Sequence, residues 1–277
     1  MPGTLYVVAT PIGNLEDITH RAVRVLGSVA LIAAEDTRHS RRLLDHLGIA
    51  TALTSYHDHS EREKAPQLVE RLRSGVDIAL ICDAGTPGMS DPGYRLVCAA
   101  IEAGVQVVPV PGASAVTACL SVSGLPTDRF VFEGFVPAKS GPRLRFYERL
   151  SGEARTIVCF EAGRRLVASL ADLESVLGRR RVVVGREVTK LYEDFRRGTV
   201  DEVAAGLAEA AVRGEVTLMI AGAPAAHRAE PEEVRRRVAE LRGEGIRMKD
   251  VARRVAEEAG WSTRDVYELG ISDADEV

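Results

Sequence analysis

The chain has 277 residues, of which 45% are hydrophobic and 27% charged, and its formal net charge is −4. This length and apolar content suit two α/β cores with a small appendage. The negative charge disfavours indiscriminate binding to nucleic acid, and no stretch approaches the roughly 20 consecutive apolar residues that a membrane span needs. The first residues lead directly into a strand without a signal peptide, so we expect a cytoplasmic protein with no membrane partner.

The first 122 residues alternate strand-like and helical segments, which is typical of a parallel sheet covered by helices. Apolar runs at residues 5–9, 29–34, 76–82 and 105–110 predict strands, and each continues into a loop of glycine, proline or polar residues. Because the carboxyl ends of parallel strands meet at one edge of a sheet, we expect these four loops to gather there, where open α/β folds bind ligands. Apolar periodicity predicts helices near residues 18–26, 41–47 and 68–72.

The loop at residues 83–93 carries the clearest sign of a ligand site. Its glycines allow the main chain to approach a ligand closely, and its two prolines stiffen it. Thr86, Ser90 and two aspartates supply hydrogen-bonding groups. The loop matches neither of the usual phosphate-binding patterns, G-x-G-x-x-G and G-x-x-x-x-G-K-[ST]. On its own, a tight turn before a helix is an equally good interpretation.

The rest of the chain is predicted to form a second α/β domain and a helical extension. Residues 123–228 carry strand patterns at 130–135, 156–160, 181–184 and 216–220, with helical patterns at 164–177 and 200–213. Two α/β domains, 1–122 and 123–228, imply a cleft that can hold a ligand. In residues 229–277 an apolar helical face stops at Gly260, and a capping box from Ser262 opens a further helix. This extension is helix-turn-helix-like, and docking on folded RNA or on the protein's own body suits it better than reading a DNA groove.

Ordered motifs along nearly the whole chain carry a family resemblance. They are Thr10-Pro11-Ile12-Gly13-Asn14, Glu35-Asp36-Thr37-Arg38, Asp83-Ala84-Gly85-Thr86-Pro87-Gly88, Pro111-Gly112-Ala113-Ser114-Ala115, Phe132-Glu133-Gly134-Phe135, Arg186-Glu187-Val188-Thr189-Lys190 and Lys249-Asp250-Val251-Ala252. With these motifs the chain resembles the ribosomal small subunit methyltransferase I family of the tetrapyrrole methylase superfamily. The resemblance implies two α/β domains with a cofactor cleft between them and a small C-terminal helical extension.

The resemblance also implies an activity and partners. The expected reaction is 2′-O-methylation of a cytidine ribose in small-subunit (16S) ribosomal RNA, with S-adenosylmethionine as the methyl donor. The expected partners are that RNA, within a ribosomal particle, and a second copy of the chain in a homodimer, and no metal is required. By motif, the residues implied to contact the cofactor are Pro11, Asp83, Ala84, Gly85, Thr86, Met89, Ser114, Ala115, Phe160, Glu161 and Val188.

The catalytic and substrate-binding candidates are polar residues of the same loops. A ribose hydroxyl is a poor nucleophile at neutral pH, so a base or an electrostatic partner must assist it. The first candidate is Lys190 oriented by Glu187, since a lysine in a dry cleft can lose its proton, and the alternatives are Glu35 and Asp36. Candidates for substrate contacts are Arg38, His57, His59 and Arg186. Structural ion pairs or a solvated loop explain these residues about equally well, and His57 with His59 lacks a third ligand for zinc.

Two segments depart from the family pattern. The family usually reads Glu-(Ser/Ala)-Pro-His-Arg where this chain has Glu161-Ala162-Gly163-Arg164-Arg165, and Asn-Glu where it has Ser60-Glu61. These departures affect local contacts and not the family resemblance. Two other functions stay open: methyl transfer to a tetrapyrrole or other small molecule, because the superfamily shares its architecture, and a non-catalytic RNA-binding factor of the ribosome that uses the arginine clusters and the helical extension. Binding of S-adenosylmethionine would separate the enzymes from the factor.

Two residue types need a separate interpretation. Arginine supplies nearly all the positive charge, and its clusters predict either solvated helix faces or a local patch that faces RNA. The four cysteines, Cys82, Cys98, Cys119 and Cys159, are scattered in apolar surroundings, which predicts buried free thiols.

Overall fold

The computed structural model describes residues 1–57, 60–207, 214–224 and 229–272. The chain divides into two compact units, residues 1–221 and residues 222–277. The first unit contains two five-stranded sheets with helices, and the second is helical. This architecture confirms the predicted α/β fold class with a C-terminal helical extension. The two sheets lie in the two predicted α/β segments, and the exact boundaries at 122 and 228 stay a prediction.

The first sheet is parallel throughout. Its strands are β1 (Thr4–Val8), β2 (Leu31–Ala34), β3 (Leu53–Ser55), β4 (Ile78–Ile81) and β5 (Gln106–Val110), in the spatial order β3-β2-β4-β1-β5. The helices are α1 (His20–Ser28), α2 (Thr37–His46), α3 (Glu61–Arg73), α4 (Tyr94–Glu102) and α5 (Ala115–Ser123). Every residue of β2 and β4 is buried, because clusters of apolar side chains cover both faces of the sheet. The four predicted strands are confirmed, and β3 was not predicted.

The second sheet is mixed. Its strands are β6 (Phe130–Phe135), β7 (Thr156–Ala162), β8 (Arg181–Arg186), β9 (Asp194–Thr199) and β10 (Glu215–Ile220), in the order β6-β7-β10-β8-β9. Among the strands that the structure describes in this sheet, β6 and β7 pair in parallel and the other neighbours are antiparallel. Its helices are α6 (Ser140–Arg149), α7 (Leu166–Leu177) and α8 (Val200–Leu207). The predicted helix at 200–213 is present to Leu207, and its last six positions lie outside the described residues.

A bulge interrupts β6 beside the parallel partner β7. Phe132 pairs with Val158 and Phe135 pairs with Phe160, so β6 contains one more residue than β7 between these two pairs. Gly134 lies at the bulge with a φ of 68°, which favours glycine. The extra residue places Phe132 and Phe135 on the same side of the sheet, where both rings contact that of Phe160.

Apolar side chains fill both faces of the second sheet. On one face, Ile157, Leu218 and Val184 pack with side chains of α6, α7 and α8. On the other face, the side chains of Val158, Val183 and Met219 form a cluster with Val116, Cys119 and Leu120 of α5. Helix α5, which follows the last strand of the first sheet along the chain, thus packs against the second sheet.

The second unit consists of α9 (Pro231–Gly243), α10 (Met248–Ala259) and α11 (Thr263–Ser272) around a core that includes Val234, Val238 and Val255. Gly260 ends α10 in the left-handed conformation, and the Ser262 hydroxyl accepts the backbone N–H of Asp265 at 3.0 Å. The predicted helix pair and its capping residue are therefore confirmed. Among the described residues, none of the helices combines the length and apolar character needed to cross a bilayer.

Candidate functional site

A cavity of about 280 Å³ lies in the first unit, between loops at the carboxyl edge of the first sheet and the second sheet. Most of the predicted site residues line it: Glu35, Asp83, Ala84, Gly85, Thr86, Met89, Ser114, Ala115, Phe160, Glu161, Glu187, Val188 and Lys190. Ser90 and Asp91, polar residues of the predicted ligand loop, line it too, and Ile12, Phe135, Glu215 and Thr217 line it without having been predicted. Pro11, Asp36, Arg38, His57 and Arg186 are not among the lining residues, and His59 lies outside the described residues.

The loop at residues 83–93 is tied to the loop after β1 by two main-chain hydrogen bonds. Thr10 donates its N–H to Gly85 O at 2.8 Å, and Gly85 donates its N–H to Thr10 O at 3.1 Å. Both main-chain groups of Gly85 are therefore engaged within the protein. The φ of Gly85 is 85°, a value that side-chain-bearing residues rarely adopt. The loop conformation therefore favours a glycine at position 85, whether or not a ligand lies close to the main chain there.

A buried carboxylate holds the other end of the same loop. Gly93 donates its N–H to Glu61 Oε1 at 2.7 Å, and the second oxygen of Glu61 lies 3.4 Å from Arg95 Nε. Glu61 begins α3 and is buried, as is the neighbouring Tyr56, whose pKa is raised by burial and by the Glu61 carboxylate. This contact joins residues 32 positions apart, and nothing in the local sequence of either predicts it. Glu61 therefore positions the loop without lining the cavity.

The loop after β2 meets the same loop through its carboxylates. Asp83 donates its N–H to Glu35 Oε2 at 3.3 Å, and Asp36 donates its N–H to Asp83 Oδ1 at 3.2 Å. Asp36 is also the N-cap of α2, where it accepts the backbone N–H groups of Arg38 and His39. These hydrogen bonds hold the pKa of Asp36 below its ordinary value. Of the two acidic catalytic candidates, Glu35 lines the cavity, whereas Asp36 does not line it and caps the N-terminus of α2.

Lys190 lies in an acidic setting at the edge of the second sheet. Its Nζ is 3.1 Å from Glu187 Oε1 and 3.7 Å from Glu215 Oε2, and its side chain is 32% exposed. The turn that carries it is tight: Glu187 and Thr189 have φ values of 50° and 68°. A Cβ at Gly13 would collide with the Lys190 side chain, so the first-sheet loop packs directly on the lysine. The expected proximity of Lys190 and Glu187 is present, but the lysine is not in a dry environment.

Aromatic rings form part of the cavity wall on the side of the second sheet. The rings of Phe132 and Phe160 have centroids 5.0 Å apart, and those of Phe135 and Phe160 are 5.3 Å apart. Phe135 and Phe160 line the cavity. Such faces tolerate a neighbouring positive charge.

Glu161 borders the cavity in a different way from the one that its motif suggests. Its side chain is fully buried, and its Oε1 accepts Ala162 N–H at 2.7 Å and lies 2.6 Å from an Arg165 nitrogen. Strand alternation puts it on the face of Ile157 and Cys159, beneath α6 and α7. The cavity therefore meets the main chain of Glu161. The segment that departs from the family pattern thus keeps a Glu161–Arg165 ion pair at its two ends.

The charges of the cavity are unbalanced. Apart from the buried Glu161, the lining residues include the carboxylates of Glu35, Asp83, Asp91, Glu187 and Glu215, and Lys190 supplies the positive charge. Carboxylates at such a density favour a cationic ligand over an anionic one.

Several arginines of the clusters form ion pairs within the protein. Examples are Arg143 with Asp172 at 2.6 Å, Arg179 with Asp201 at 3.0 Å, and Arg237 with Glu258 at 2.9 Å. These pairs favour a structural role for the arginines concerned. The four cysteines are free, and Cys82, Cys119 and Cys159 are buried as predicted, whereas Cys98 is only half-buried, so the prediction of burial was wrong for it. Burial and the nearby Asp91 raise the pKa of Cys82. In the described ranges, no group of three or more His, Cys, Asp or Glu residues could hold a metal ion.

Comparison with known proteins places this geometry in context. The family model described as Tetrapyrrole (Corrin/Porphyrin) Methylases matches residues 4–204. A ribosomal RNA small subunit methyltransferase I of Synechocystis sp. is 47% identical over 272 residues, covering 97% of this chain and 98% of the relative. Proteins of the same name from Halalkalibacterium halodurans and Escherichia coli O157:H7 are 43% and 45% identical, over 96% and 97% of this chain and 94% and 95% of the relatives.

Solved structures share the fold at lower identity. Uroporphyrin-III C-methyltransferase from Thermus thermophilus, complexed with S-adenyl homocysteine, superposes with a TM-score of 0.55 at 24% identity. That match covers 79% of this chain and 97% of the other. The cobalt precorrin-4 methyltransferase CbiF superposes with a TM-score of 0.57 at 19% identity, covering 79% of this chain and 94% of the other.

Proposed function

Since the chain belongs to the ribosomal RNA small subunit methyltransferase I family of the tetrapyrrole methylases, we propose that it transfers a methyl group from S-adenosylmethionine to small-subunit ribosomal RNA. The observation that carries this proposal is the cavity itself, because loops from the first sheet and strands from the second converge on it. The full-length similarity to relatives with this name supports the RNA substrate.

The residues present fit the cofactor. S-adenosylmethionine supplies an electrophilic methyl group on a positively charged sulfur. A cavity with five carboxylate side chains and the rings of Phe135 and Phe160 suits a ligand that carries a sulfonium and an ammonium group. Residues 83–89 and the start of α5 would hold it from the first sheet, and Phe160 with Val188 from the second.

We further propose the finer points that the family resemblance implies. The acceptor is the ribose 2′-hydroxyl of a cytidine, the substrate is a ribosomal particle in the cytoplasm, and the active form is a homodimer. The acceptor oxygen must lose its proton as it forms the new O–C bond, while the C–S bond breaks and leaves a neutral thioether. A residue at the cavity has to take that proton or stabilise the oxygen as its charge develops.

Lys190 is the first candidate for this role. Its acidic surroundings favour stabilisation of the developing charge on the oxygen over uptake of the proton. An ammonium group held between Glu187 and Glu215 donates hydrogen bonds and can stabilise a developing negative oxygen. Glu35, whose Oε2 accepts a main-chain N–H at the same cavity, is the candidate for the proton acceptor. A pH–rate profile separates the roles, since loss of a general base removes the acidic limb of the profile and loss of an electrostatic partner lowers the whole profile.

The function is tested by methyl transfer. Purified protein would be incubated with S-adenosylmethionine labelled in the methyl group and with small subunits from a strain that lacks the gene. Label in the RNA, mapped to one ribose 2′-oxygen, is the expected result. Label in a tetrapyrrole, with none in RNA, would establish the alternative small-molecule activity. Absence of cofactor binding by calorimetry would instead favour a non-catalytic RNA-binding factor.

A further inference from the structure

The turn that follows Lys190 presents two large apolar side chains to solvent. Glu193 donates its N–H to Lys190 O at 3.1 Å, which makes Leu191 and Tyr192 the two corner residues of the turn. Their relative exposures are 87% and 70%, respectively. Lys190, the first residue of the turn, lines the cavity. The exposed corner therefore starts at the rim of the candidate active site.

The turn is held in place before any ligand arrives. Thr189 donates its N–H to Glu193 Oε2 at 2.7 Å, and Lys190 donates its N–H to Glu187 O at 2.9 Å. Packing of Lys190 on Gly13 fixes the side next to the first sheet. A rigid presentation lowers the entropy that is lost when a partner binds. The left-handed Glu187 and Thr189 add local strain of the kind that clusters at functional sites.

The charges around the cavity restrict what can approach this corner. Phosphate groups are repelled by the carboxylates of Glu35, Asp83 and Asp91 on the first-sheet side, and Glu187 and Glu215 lie beside Lys190. The face of a nucleobase is neutral and meets no such repulsion. Unpaired bases bind proteins by stacking on aromatic side chains, which every base can do.

We propose that Tyr192, with Leu191 beside it, is the stacking contact for an unpaired nucleobase of the RNA at or next to the ribose that is methylated. The proposal rests on the proposed function, because it needs an RNA substrate whose ribose reaches the cavity. A nucleotide with its ribose at Lys190 has its base, or the base of its neighbour, within reach of the adjacent turn. Stacking holds the RNA beside the cavity without a charged contact.

Two substitutions of Tyr192 and one control test the contact. Tyr192→Ala removes the ring, and Tyr192→Phe keeps it. Ile101→Ala is the control, because it removes an apolar side chain of similar exposure, 60%, that does not line the cavity. Ile101 lies in the last turn of α4, about 10 Å along the helix from the end that follows the loop at residues 83–93. Binding of each protein to small subunits is measured in the presence of S-adenosylhomocysteine, so that affinity is read without methyl transfer. Cofactor affinity is measured in parallel by calorimetry.

We expect Tyr192→Ala to weaken subunit binding by roughly tenfold to a hundredfold, the scale of one lost base–aromatic stack. Tyr192→Phe and Ile101→Ala should stay within about twofold of the parent protein, and cofactor affinity should be unchanged in all three. Equal subunit binding by the alanine and parent proteins would overturn the proposal. A change of oligomeric mass in light scattering for Tyr192→Ala would overturn it too, by assigning the corner to contact between two copies. Failure of the parent protein to methylate the subunit is a different outcome, and it would contradict the proposed function itself.

Discussion

Two segments on opposite sides of the cavity reach unusual backbone conformations by different means. The loop at residues 83–93 has positive φ at Gly85, Gly88 and Gly93, and also at Ser90. The turn after β8 has positive φ at Glu187 and Thr189 and contains no glycine. For a glycine this conformation carries little steric penalty, whereas for other residues it costs about 1–2 kcal/mol.

This difference shows how each segment is encoded. The glycine loop reveals its shape in its own composition, so a reader of the sequence can find it. The turn owes its shape to surrounding groups, namely the Glu193 carboxylate and the packing against Gly13. The strain in the turn is therefore held by the fold, and it places Lys190 at the cavity.

The largest effect should come from the residue that the strained turn presents. Lys190→Met is expected to lower the single-turnover methylation rate on the order of 10² or more at saturating cofactor and RNA, because a charged donor at the reacting oxygen is lost. Lys139→Met, at an exposed lysine outside the cavity, is the matched control and should keep the parent rate. A near-normal rate for Lys190→Met would move the role to Glu35.

The next effect concerns the anchor of the glycine loop. Glu61→Ala should lower the free energy of unfolding by about 1–3 kcal/mol, because the N–H of Gly93 is left buried without its acceptor. We also expect cofactor affinity to fall on the order of tenfold, since the loop loses its support. Glu61→Gln retains an acceptor oxygen and should recover most of both losses. Full cofactor affinity in a folded Glu61→Ala protein would show that the loop holds its shape without this contact.

A third pair of changes, within one loop, distinguishes the effect of backbone strain on stability from the effect of a side chain on cofactor binding. Gly85→Ala and Gly88→Ala each place a side chain at a φ above 80° and should each cost about 1–2 kcal/mol of stability. A Cβ at Gly85 points toward Ile12 in the cavity wall, whereas at Gly88 it meets open space. Calorimetry should therefore show weaker cofactor binding for Gly85→Ala than for Gly88→Ala. Equal affinities would mean that the loop acts only as a scaffold.

The smallest effect should be a gain in stability. Thr189→Gly removes a β-branched residue from the left-handed region and a buried hydroxyl that finds no hydrogen-bond partner among the described residues. After subtraction of the entropy that glycine loses on folding, we expect a stabilisation of about 0.5–1 kcal/mol in urea unfolding. The methylation rate should fall severalfold, because Lys190 is held less firmly. A destabilised protein would contradict the assignment of strain to this turn.

The sequence predicts features that are encoded locally, as in the glycine loop, and not those that depend on distant groups, as in the turn after β8. The strand-to-loop transitions at Thr10, Glu35 and Asp83 were readable because apolar runs end there in turn residues. The contact of Glu61 with Gly93 and the packing of Gly13 on Lys190 were not, because each joins distant parts of the chain. Strand β9 was missed because its sequence is polar, as suits an edge strand. The N-cap role of Asp36 could have been found, since an aspartate directly before a helical pattern is a known signal.

The bulge in β6 makes the backbone conformation at Gly134 matter as much as the side chains beside it. If the strand ran through Gly134 without the bulge, regular alternation would carry Phe135 to the opposite face, away from Phe160, and would turn Val136 out of the core. Substitutions at neighbouring positions change one side chain at a time, whereas loss of the bulge would invert every later side chain of the strand. Among functional relatives, a glycine should therefore be retained at this position while the side chains beside it vary.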